Sequence, residues 1–160
     1  GRRLLHDELG METVDLAALA GCERHTITLY NYKDVGSKLA SGSFLHDGMV
    51  IVPCSGNTLA EVAHGLGGNL ISRAAAVTLK ERRRLILVHR EMPLSPMDIN
   101  NYKLLSDAGA IIAPANPGFY LNPTTVGEIA DFVAGKLLDL LGVKHDLATR
   151  WDPKAVRPAE

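Results

Sequence analysis

Three short apolar runs, Met49-Val50-Ile51-Val52, Leu85-Ile86-Leu87-Val88 and Ala110-Ile111-Ile112-Ala113, punctuate a chain that is otherwise mixed in polarity. Each run is continuous rather than alternating, the pattern of a strand covered on both faces. Between them the apolar positions fall into helical spacing. One helical stretch is predicted from about residue 58 to residue 80, broken near Gly65 to Gly68, where three glycines interrupt it. A second covers about Pro96 to Asp107 and stops at Gly109. A third starts from a cap at Thr124 or Thr125, carries Ile129, Phe132, Val133, Leu137, Leu140 and Leu141 along one face, and closes at Gly142. Strands alternating with helices require right-handed crossovers, hence an α/β fold with a mainly parallel sheet and helices on both sides. The front is less regular: residues 2–9 read as the tail of a helix, Thr26 to Tyr30 alternates like an edge strand, and Asp34 to Leu39 suits a short helix. One domain over residues 1–150 is expected, with the proline- and charge-bearing stretch 151–160 as an exposed tail.

Composition narrows the class. Hydrophobic residues make up 46% of the 160 and charged residues 22%, enough apolar material for one globular core and too much for a disordered chain. The formal net charge is -1, so no overall field draws the molecule to nucleic acid or to an anionic membrane. Arg82, Arg83 and Arg84 form a local basic stretch that reads as solvated surface or subunit contact. No apolar run approaches the roughly 20 residues of a membrane span, and the start lacks the pattern of a signal peptide. Cys22 and Cys54 are the only cysteines, and Cys54 sits at a strand end where a disulfide would be awkward, so a reducing, cytoplasmic setting is expected. The chain starts at Gly1 rather than Met, which suggests an internal piece of a longer product.

In an open parallel sheet, ligands bind beyond the carboxyl ends of the strands. Three segments fall there: Pro53 to Thr58, His89-Arg90-Glu91, and Pro114 to Tyr120. The first is a strand-to-helix turn whose outward N–H groups favour an anion or a polar ring edge, although Ser55 and Thr58 can equally serve as caps. Arg90 offers a planar fork suited to phosphate, and Glu91 can donate a proton if burial raises its pKa; an ordinary solvated pair is the plain alternative. Arg73 and Lys80, seven residues apart on one helical face, could converge on a phosphate or could form a solvent-facing stripe. Tyr120 can stack on a ring, bond a phosphate oxygen, or pack under the sheet edge. Ser41-Gly42-Ser43 suits a cap or turn. The six histidines show no metal-ligand spacing, Cys54 has no base beside it, and neither a Walker loop nor G-x-G-x-x-G occurs.

Taken together, these segments resemble the flavin prenyltransferase family (the UbiX/Pad type, formerly described as aromatic-acid decarboxylases). The matching stretches are Ala40 to Ser43, Met49 to Ser55 with Thr58, Asn69 to Ala75, Leu79 to Arg83, Leu87 to Leu94 and Pro114 to Tyr120, in family order from about Leu4 to Trp151. The resemblance implies a three-layer, Rossmann-like and flavodoxin-like flavoprotein fold that joins a dimethylallyl group from dimethylallyl phosphate to reduced flavin mononucleotide (FMN), without a metal. It further implies a product used by a separate UbiD-type decarboxylase, and a homo-oligomer, a dodecamer, with active sites at subunit interfaces. By motif position, Lys80, Arg90 and Tyr120 would hold the donor phosphate. Glu91 would assist proton transfer, with Glu8 as a second active-site glutamate. Ser55, Thr58 and Arg73 would contact the flavin, Ser41 would lie near its ring, and Trp151 near the pocket mouth.

Two departures accompany the match. The family's first strand and its Gly-Ala-Ser-Gly loop have no counterpart in these 160 residues, so a longer gene product or an inactive form is expected. Ala76 stands where the family usually has aspartate. Two other readings compete: an FMN-dependent enzyme of the same fold that oxidatively decarboxylates a cysteine-type thiol, and a non-catalytic flavin carrier. The Lys80, Arg90 and Glu91 set suits a phosphorylated donor better than a thiol.

Overall fold

The computed structural model describes residues 6, 7, 10, 12, 15–21, 27–147, 149 and 150. Glu8, Cys22, Trp151 and the predicted tail at 151–160 lie outside them. The chain divides into two compact units, Gly1–Asn31 and Tyr32–Glu160. In the first, a five-residue helix, Leu16–Ala20, begins beside Asp15, whose carboxylate accepts the Ala17 N–H at 2.9 Å. His6 and Asp7 are helical, in line with the predicted helix tail. Residues 27–30 form no strand, against the expected edge strand: alternation marks a strand only when a neighbour supplies the ladder, and no described strand pairs with them.

The second unit holds the sheet. Its strands are β1 (Met49–Cys54), β2 (Leu85–His89) and β3 (Ile111–Ile112), in that order and parallel throughout. Four helices accompany them: α1 (Gly56–Ala63), α2 (Leu70–Lys80), α3 (Pro96–Asp107) and α4 (Val126–Leu141). Every residue of β2 is buried, so both faces of the central strand are covered, as its unbroken apolar run requires. Leu85 and Leu87 join Ile51, Leu59, Val62, Ala75 and Leu105 in the main core. The β1–β2 register slips between Ile51 and Cys54, around Pro53, which has no N–H to give to the ladder.

Helix limits follow local chemistry. The predicted helix at about 58–80 is two helices, parted where glycines cluster and restarted by Asn69, whose side chain accepts from Ile71 and Ser72. Ser95 and Asp98 cap α3 reciprocally, and Thr125 and Glu128 do the same for α4. Between 34 and 39 only a 3₁₀ turn forms, Lys38–Ala40. Gly135 on α4 is buried where Thr149 crosses it; any Cβ there would collide with the Thr149 side chain. Asp139 accepts from Arg150 at 2.8 Å and pairs with His145 at 3.2 Å, tying that crossing segment down.

Arg82, the residue after the α2 cap, has φ 57°, a left-handed conformation that is strained for a residue with a Cβ. Arg82→Gly should raise stability by about 1 kcal/mol, measured as a later urea midpoint at unchanged slope. Cys54 is a free thiol, 2% exposed, and burial pushes it up to about 11. Its thiolate is therefore scarce in the folded chain, and stability should fall as pH rises through 9 toward 11. Mass spectrometry of iodoacetamide adducts at pH 8 should show Cys54 alkylated at least about 100-fold faster in urea than in the native protein.

Candidate functional site

Parallel strands end on one edge, and that edge gathers three polar loops. After β1, Ser55 caps α1: its Oγ accepts the Thr58 N–H at 3.3 Å and lies 3.1 Å from the Thr58 hydroxyl. Capping is thus a role both residues fill, and Ser55 remains exposed on the outer side of the turn. After β2 come Arg90 and Glu91, both exposed; a Glu91 carboxylate oxygen accepts the Met92 N–H at 3.3 Å. The described residues do not supply the burial on which a proton-donating glutamate depends. After β3, Ala113 and Ala115 donate to the carbonyls of Leu87 and His89, at 2.9 and 3.3 Å, so this loop keeps following β2 beyond the end of its own strand. It leads to the 3₁₀ turn Phe119–Leu121, where Tyr120 stands half-exposed with its ring edge-on to Phe132 at 5.8 Å. Gly118 lets both rings close over it, since a Cβ there would force the Tyr120 and Phe132 rings to shift.

Lys80 and Ser41 lie elsewhere. Lys80 ends α2 and precedes β2, so it belongs to the amino edge of the sheet. The five residues of β2 place roughly 16 Å between the two edges. Lys80 Nζ contacts Glu81 at 2.6 Å, and this hydrogen bond with its charge, helped by Arg83, holds the Glu81 carboxyl below the usual carboxylate range. The Ser41-Gly42-Ser43 turn rests against the same corner. Ser41 and Ser43 hydroxyls are 2.8 Å apart, and Glu81 abuts Gly42. Arg73 is exposed near the start of α2 and lies along Gly67.

The structure therefore brings Ser55, Thr58, Arg90, Glu91 and Tyr120 to one edge and sets Lys80 and Ser41 at the other. Glu8 and Trp151 are outside the described residues. One sequence reading is corrected: Arg83 is not free surface. Its guanidinium donates to the carbonyls of Phe44 at 2.8 Å and Gly42 at 2.6 Å, because the fork fits two nearby oxygens and so pins the 41–44 turn. Nothing in the residue pattern signals the buried contact between His89 and Tyr102, at 2.7 Å. A groove of about 570 Å³ between α1 and α3, lined by Ala60, His64, Met97, Asn101 and Leu104 among others, contains none of the predicted site residues. Among the described residues, no group of three His, Cys, Asp or Glu side chains could hold a metal ion, and no helix is long and apolar enough to cross a membrane.

Comparison with known proteins places the chain in a family. The family model described as Flavoprotein matches residues 10–138. The flavin prenyltransferase UbiX of Thermoplasma acidophilum is 52% identical over 128 residues, 79% of this chain and 71% of that protein. Among solved structures, AnUbiX (PadA1) in complex with FMN and dimethylallyl pyrophosphate superposes with a TM-score of 0.73 at 43% identity. The match covers 77% of this chain and 65% of that one. A dodecameric FMN-dependent UbiX-like decarboxylase from Escherichia coli O157:H7 gives 0.75 at 44% identity, over 77% of this chain and 66% of that one. The chain thus spans just under two thirds of these two solved relatives. At such identity along most of its length, the chain belongs to the flavin prenyltransferase family.

Proposed function

We propose that the protein is a flavin prenyltransferase, joining the dimethylallyl group of dimethylallyl phosphate to reduced FMN and releasing phosphate. The reading is carried by one observation: three loops bearing Ser55 and Thr58, Arg90 and Glu91, and Tyr120 share the carboxyl edge of the sheet in a chain 52% identical to a flavin prenyltransferase. Reduced FMN supplies the nucleophile. The chain's own residues seat the two substrates, stabilise the departing phosphate and move a proton.

Ser55 and Thr58 flank the α1 amides that would receive the flavin, with Arg73 as a further contact. Arg90 and Tyr120 would grip the phosphate, where fixed donors offset the charge that grows as the carbon–oxygen bond breaks. Glu91 would handle the proton lost from the flavin, with Glu8 as a second carboxylate and Trp151 at the pocket mouth. Lys80 and Ser41, on the far edge, reach such a site only from a second copy of the chain. A homo-oligomer, on the pattern of the dodecameric relative, would supply them. The product would pass to a UbiD-type decarboxylase, and the cytoplasm is the setting that suits it.

The first test is anaerobic incubation with reduced FMN and dimethylallyl phosphate, followed by mass analysis of the flavin. A flavin heavier by one five-carbon unit is expected, with the rate lowered about 100-fold or more in Lys80→Ala. Unmodified flavin that stays bound would favour the thiol-decarboxylase or carrier readings. A second test mixes unfolded Lys80→Ala and Glu91→Gln chains and refolds them together. If the site is shared between copies, the mixture should regain about a quarter of wild-type activity, whereas a site within one chain regains none.

A further inference from the structure

His89, the last residue of β2, is 1% exposed, and the carboxyl-edge loops converge on it. Its Cα is in register with Cys54, its carbonyl accepts from Ala115, and Arg90 and Glu91 come directly after it. Its ring meets Tyr102 edge-on, with centroids 5.6 Å apart, and Nδ1 lies 2.7 Å from the Tyr102 hydroxyl. Burial, helped by the nearby Asp98 and Cys54, raises the Tyr102 phenol above its ordinary value, so the hydroxyl keeps its proton and can donate it to Nδ1. The other ring nitrogen, Nε2, is buried without a hydrogen-bond partner. Buried polar atoms are nearly always paired, so an orphan on an otherwise anchored side chain marks a place where a partner belongs.

That nitrogen is aimed at the first turn of α1. A Cβ on Gly56 would stand 3.8 Å from His89 Nε2 and 3.8 Å from Asp98 Oδ1. The other Asp98 oxygen is committed to the Ser95 N–H at 2.9 Å and hydroxyl at 2.6 Å, which leaves Oδ1 for this spot. The N–H groups of Gly56 and Asn57 have no intrachain acceptor among the described residues, because the Ser55 hydroxyl and carbonyl serve Thr58 and Leu59. Beside a residue without a side chain, an imidazole nitrogen just beneath the surface, a carboxylate acceptor and two helix-terminal donors thus lie together. Adjacent donor and acceptor match an edge on which a ring carbonyl neighbours a ring N–H.

We propose that His89 and Asp98 read the imide edge of a flavin seated on the first turn of α1. His89 Nε2–H donates to a ring carbonyl, Asp98 Oδ1 accepts the neighbouring ring N–H, and Gly56 has no side chain to stand between them and the ring. This rests on the flavin-binding reading above and adds two binding residues to it. The test titrates FMN alone against the protein, following flavin fluorescence. His89→Leu and Gly56→Ala should each weaken FMN binding about tenfold, and the double variant little further, since both interrupt one contact. The Gly56→Ala methyl meets only ordinary contacts, so its Tm should match wild type and separate lost binding from lost fold. FMN methylated at N3 should bind wild type about tenfold less well than FMN, having no N–H for Asp98. Wild-type affinity in both single variants would overturn the proposal and leave flavin binding intact. A wild-type protein that binds no FMN would overturn the flavin reading, and this proposal with it.

Discussion

With β2 buried along its whole length, the central strand has no open face, and the polar groups that act gather at or beyond its two ends. A parallel sheet then sorts those groups strictly: residues leaving the strands gather on one edge, and residues entering them gather on the other. Arg90 and Glu91 fall on the first edge because the chain reaches them on leaving His89; Lys80 falls on the second because only four residues separate it from Leu85. No loop movement of ordinary size exchanges them. The wish to place a lysine and an arginine on one phosphate therefore turns, by connectivity alone, into a question about how copies of the chain meet.

The sheet and its helices were legible because their signals are local. Ser95, Pro96 and Asp98 announce the start of α3 within four residues, and Gly142 ends α4 in the left-handed conformation that glycine favours, φ 77°. Continuous apolar runs located β1 and β2 to within two residues at their carboxyl ends. The edge strand expected at 26–30 failed for the opposite reason. Its alternation was real, but a strand is a relation between two segments, and one segment cannot reveal whether the other exists.

The site was legible as a list of loops and less so as a set of contacts. Three consecutive arginines look alike in sequence, yet Arg83 turns inward to two carbonyls while Arg82 and Arg84 stay exposed; only the direction of the backbone after α2 decides which. His89 and Tyr102 meet across a strand and a helix, thirteen residues apart, with no periodicity to connect them. Ser55 and Thr58 show the converse limit. Their capping geometry satisfies everything the sequence asked of them, so the presence of hydroxyls at a helix start does not by itself separate a structural role from a binding one.

The crossing of Thr149 over Gly135 carries a consequence for how this chain can diverge. The two positions share one volume: Thr149 is buried against a helix that yields it space only because residue 135 has no side chain. Neither can drift alone toward a larger residue without lifting the segment that Asp139 ties down through His145 and Arg150. Across descendants of this sequence, growth at 135 is admissible only with shrinkage at 149. The pair should therefore vary together, while the exposed residues between them, such as Lys144 and Asp146, change freely.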